Sequence, residues 1–91
     1  MTINETQALE LINKIIEKQA IILGPKIATG KAQNIKVLSL SKTGLAIRIT
    51  SDPKQVIEDL VDAYVHLSGE IIRNSINVLM SNFPDIKKSL N

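Results

Sequence analysis

Residues 52 to 80 constrain this chain more than any other stretch. Asp52-Pro53-Lys54-Gln55 combines an N-cap carboxylate, a proline at the first helical position and a glutamine placed to close a capping box. Glu58, Asp59 and Asp62 follow near the positive end of the helix dipole. Helical spacing then runs to about Met80, and Asn82-Phe83-Pro84 ends it. Gln55, Asp59, Asp62, His66, Gly69/Glu70, Arg73 and Asn77 form one narrow polar stripe. The remaining circumference is largely apolar, the pattern of a helix buried on two sides. Twenty-eight helical residues span roughly 42 Å. A monomer of this length has a radius of gyration of about 12 Å and a diameter of roughly 30 Å. Either the helix breaks at Ser68-Gly69, or it projects into a partner. Gly69, with Ala63 and Ser68 near it, suits a kink or a close approach of two helices.

An N-terminal helix precedes it. Asn4 is a good N-cap, and Gln7 stands where a capping-box side chain reaches back. Ala8, Leu9, Leu11, Ile12, Ile15, Ile16, Ala20, Ile22 and Leu23 recur at helical spacing, and Gly24-Pro25 ends the run. Residues 25–34 admit two readings. Pro25 can open a short helix with Ala28, Ala32 and Ile35 on one face, although Gly30 opposes it. The rival is a short strand at 26–29 and a turn.

Two β-rich runs, 35–40 and 45–50, flank Ser41-Lys42-Thr43-Gly44 and predict a hairpin with Gly44 left-handed at its tip. On the second strand, Leu45, Ile47 and Ile49 are expected on one face and Ala46, Arg48 and Thr50 on the other. A three-residue loop puts Ile35 and Val37 on the Leu45 face, whereas a four-residue loop puts Leu38 and Leu40 there. An isolated two-stranded hairpin is marginal in water. The expected architecture is therefore α+β: one domain over residues 1–91, made of N-terminal helix, β-hairpin and long C-terminal helix, with a Gly69 kink as one of its forms. Pro84 to Leu90 adds at most a frayed turn. A homodimer sharing a sheet or a helix interface is expected, with Ile72, Ile76, Leu79 and Met80 as the helical contact.

Composition narrows the function. Apolar residues make up 44% and charged residues 22%, ordinary for a soluble globular protein. The apolar runs are far too short for a transmembrane helix, and residues 1–5 lack the basic, then apolar, pattern of a signal peptide. A cytoplasmic protein with no membrane attachment is the expectation. Cysteine is absent, which excludes disulfides and thiol chemistry. Tyr64 and Phe83 are the only aromatic residues, too few for stacking bases or sugars.

Charge is unevenly spread. Lys18, Lys26, Lys31, Lys36, Lys42 and Arg48 occupy a segment with no acid, whereas residues 52–70 carry five acids against Lys54. The two segments can attract each other within one fold or between two copies. Lys26, Lys31, Lys36, Lys42 and Arg48 are the candidate anion or nucleic-acid contacts; the bland alternative is a solvated face partly neutralised by the acidic helix.

Other chemistry is thin. His66 has Asp62 one turn before it, as a general base or a metal ligand would, but no further ligand completes the set. A surface ion pair is the simpler reading. The segment 24–32 superficially looks like a phosphate-binding loop, but its glycine spacing is wrong, and Ala32 stands where Ser or Thr would hold magnesium. No cofactor and no catalytic constellation is expected. The expected function is a small non-enzymatic interaction or regulatory module acting as a homo-oligomer. A protein partner fits that reading, and a nucleic-acid-binding dimer using residues 26–48 is the alternative.

Overall fold

The computed structural model describes residues 4–90. Residues 1–3, where the leader reading begins, residue 91, and the side chains of Ile71, Ser89 and Leu90 lie outside that description. The element order is α1 (Glu5–Leu23), α2 (Pro25–Gln33), β1 (Leu38–Leu40), β2 (Ala46–Ile49), α3 (Pro53–Ser68), α4 (Ile71–Met80) and α5 (Pro84–Leu90). The mixed α+β class is as expected, with one two-stranded antiparallel sheet. No helix among the described residues is long and apolar enough to cross a membrane.

The two N-cap residues act as the sequence indicates, but Gln7 does not reach back to close a box at Asn4. Asn4 accepts a hydrogen bond from the Thr6 amide at 2.7 Å, and Asp52 accepts one from Lys54 at 3.3 Å. Gln55 does not close a capping box; its amide donates to Asp59 one turn on, at 2.8 Å. Of the two readings of residues 25–34, the helix is realised, with Pro25 in its first turn. Ala28 and Ala32 are fully buried on the face that Gly30 leaves intact.

The long C-terminal helix is not continuous. The Gly69 amide closes α3 on the Val65 carbonyl at 2.7 Å, then the backbone turns at φ +89° and ψ 175°. That region of backbone space belongs essentially to glycine. α4 then packs against α1 and α3 instead of extending outward. The radius of gyration is 11.9 Å, as a chain of this length requires when the 42 Å rod is folded. The break also moves the residues read as an interface. Ile72, Ile76 and Met80 lie in the core of the chain itself, Ile76 with no exposed surface at all. The reason to place them in an interface was a helix running beyond the fold, and that reason is gone.

One aliphatic cluster unites the elements. Leu11, Ile12, Ile15 and Ile16 of α1 meet Val56, Ile57, Leu60, Val61 and Tyr64 of α3, together with Ile72, Ile76 and Met80. Phe83 and Ile86 are buried in the same cluster, so the Pro84–Leu90 segment is a packed helix and more than a frayed turn.

The hairpin departs from strict alternation. Leu38 pairs with Ile49 and Ser39 with Arg48, but Leu40 pairs with Ala46, so β2 carries one extra residue. This β-bulge switches the face of the strand. Ala46 and Ile49 point to the core, whereas Leu45 and Ile47 are more than half exposed. The expected grouping of Leu45, Ile47 and Ile49 is thereby broken. α1 closes the outer edge of β2. The Asn13 side chain accepts from the Ala46 amide at 2.7 Å and donates to its carbonyl at 3.1 Å. Glu5 accepts from the Ile49 amide at 3.0 Å. These donors are unavailable to a strand from a second copy, which removes the support for a sheet shared along β2.

Candidate functional site

The hairpin tip leans on α2. Gly44 adopts φ +89°, and a Cβ there would sit 3.3 Å from the Thr29 hydroxyl. The close approach leaves a shallow groove of about 330 Å³ between the two elements. Lys26, Thr29, Gly30 and Gln33 line it from one face of α2, and Lys42, Thr43 and Gly44 from the tip. No carboxylate lines it. Ser41 organises the tip: its amide donates to the Leu45 carbonyl at 2.7 Å, and its hydroxyl accepts from the Leu45 amide at 3.2 Å.

Of the five basic residues singled out by the sequence, the groove gathers Lys26 and Lys42. Lys31, Lys36 and Arg48 lie outside it. None of the five is in an ion pair among the described residues. The acids of residues 52–70 are engaged differently. Arg73 bridges Asp62 at 3.5 Å and Glu70 at 3.0 Å across the α3–α4 break. The hydrogen bond and charge of Glu70, then Asp62, hold its guanidinium above its usual pKa. This pair of bridges borders a cleft of about 420 Å³ whose floor is Ile57, Val61 and Met80. Asp62 therefore serves Arg73, and His66 stands exposed without the carboxylate partner expected for it. No group of three or more metal-ligating side chains occurs among the described residues. The glycine-containing segment 24–32 forms nearly all of α2, so it cannot wrap a phosphate as a loop would.

A second surface feature lies between α1 and α4. Ile21, on its α1 side, is 78% exposed. Ile21 and Leu79 line a groove of about 180 Å³ with Lys14, Glu17 and Lys18. Leu79 is the one member of the expected interface set with an outward side. Ile21 was absent from the sequence reading because it falls off the buried stripe of α1, and that position was its signal.

Gln19 was also missed. It is fully buried on α1, with neither its amide nitrogen nor its carbonyl oxygen hydrogen-bonded. Its place one turn after Ile15 marks a core position that a polar residue fills. Comparison with protein-family models, curated proteins and solved structures gave no match.

Proposed function

We propose that this chain is a small interaction module that works as a homo-oligomer, associating through the apolar ridge that flanks the groove between α1 and α4. The observation that carries this reading is the exposure of Ile21 beside Leu79 in the groove between α1 and α4. Ile21 and the outward side of Leu79 together offer an apolar surface that a partner can cover. The rim is self-complementary, since Lys14 and Lys18 flank Glu17. A two-fold contact lets the glutamate of one copy meet a lysine of the other while the aliphatic residues meet at the centre. Ile21→Glu puts a charge on the ridge without touching the core. It should yield a monomer with unchanged helicity by circular dichroism. An Ile21→Glu protein that keeps its oligomeric size would remove the ridge from the interface.

A second reading has its own observation. Lys26, Lys31, Lys36, Lys42 and Arg48 carry no ion pair among the described residues, which supports contact with nucleic-acid phosphates. Retention on immobilised DNA that falls steeply with salt supports it, and elution at low salt ends it.

A further inference from the structure

We infer that the groove between α2 and the hairpin tip is a binding site for a compact dianionic phosphoryl group, as in a phosphomonoester. Lys26 and Lys42 come from different elements and face one groove, and neither ammonium has a carboxylate or hydrogen-bond partner among the described residues. Two unneutralised cations on one small concavity favour a ligand that carries two charges on one group. A monocarboxylate leaves one lysine uncompensated. Lysine meets phosphate as a point charge and tolerates varied approach directions. The remaining lining supplies neutral donors: the Thr29 and Thr43 hydroxyls and the Gln33 carboxamide. The Thr29 hydroxyl makes no hydrogen bond among the described residues, whereas that of Thr43 is shared with Ser41 at 2.9 Å. No aromatic side chain lines the groove, so recognition stops at the phosphoryl group and does not extend to stacking a base. This inference is independent of self-association. It is also narrower than backbone binding by all five cations, which needs no concave site.

Inorganic phosphate, dianionic at about pH 8, is titrated into the intact protein at constant ionic strength, with amide chemical shifts as the readout. The proposal expects saturable shifts confined to residues 26–33 and 42–44. Lys26→Ala and Lys42→Ala should each weaken binding by about tenfold, the loss of one charge-assisted hydrogen bond. Lys31→Ala, Lys36→Ala and Arg48→Ala remove the same charge outside the groove and should change it by less than about threefold. A 5′-phosphorylated thymidine tetramer should bind more tightly than its unphosphorylated counterpart. Shifts spread evenly over all five basic residues, or no saturation, would overturn the site. Equal binding of both tetramers with inorganic phosphate silent would overturn it too, while leaving the backbone-binding reading standing.

Discussion

The Tyr64 hydroxyl donates a hydrogen bond to the Ala28 carbonyl at 2.6 Å, joining two buried residues 36 positions apart. It fixes α2 to α3, and so fixes the element that carries half of the basic groove. Burial pushes the Tyr64 phenol up to about 12, from an ordinary value of 10.0.

The pH dependence follows from that shift. Between the two values the unfolded chain releases the phenolic proton and the folded chain retains it. Stability from this group is complete below pH 10 and is lost as pH rises toward 12, by an amount of order 2 kcal/mol. Tyr64→Phe removes this alkaline loss and lowers stability at neutral pH by about 1 kcal/mol. Tyr64 is the only tyrosine, so phenolate absorbance follows it without overlap. A midpoint at its ordinary value would show that the ring is solvated.

Asn13 substitutes for a neighbouring strand along β2. Asn13→Leu leaves the Ala46 amide and carbonyl without partners, at a cost of about 2 kcal/mol. Urea denaturation gives the cost, and hydrogen exchange at Ala46 should quicken more than exchange in α3. Unchanged exchange at Ala46 would show that the strand edge does not depend on this side chain.

Gly69 separates the broken helix from the straight one. A Cβ at Gly69 meets no atom within 4 Å, so Gly69→Ala acts through backbone strain alone. The expected loss is about 1–3 kcal/mol. If α3 and α4 ran as one rod, the same change would instead stabilise by replacing glycine inside a helix. The sign of the shift in a thermal melt decides between them.

Gln19 spends a core position on an unsatisfied amide. Gln19→Leu keeps similar volume and removes two unpaired polar atoms, so it should stabilise by about 1–3 kcal/mol. A loss of stability on calorimetry would mean that the amide has a bound partner, such as an internal water.

Local rules in the sequence reach part of this architecture. The caps at Asn4 and Asp52, the Gly24-Pro25 break and the glycine at the hairpin tip depend on neighbours a few residues away, and all four are readable. The break at Gly69 is not decided locally. A helix buried on two sides reads the same whether its second face meets its own α1 or another molecule. The same ambiguity placed Ile76 outside, where folding back places it inside. The bulge in β2 is also hidden, because one extra residue flips the facing of Leu45 and Ile47 without altering the run of β-forming side chains. Charge segregation marks the basic residues but not which of them meet. Only the packing of Gly44 against Thr29 brings Lys42 to Lys26 and leaves Arg48 and Lys36 elsewhere.

Self-association through the α1–α4 ridge is tested most directly by sedimentation of the unaltered chain at micromolar concentration. An interface of more than roughly 1,000 Å² in total is needed for a stable pair. The account predicts a species of at least twice 10.0 kDa that dissociates on dilution and is abolished by Ile21→Glu. A single species of 10.0 kDa across that concentration range would contradict it.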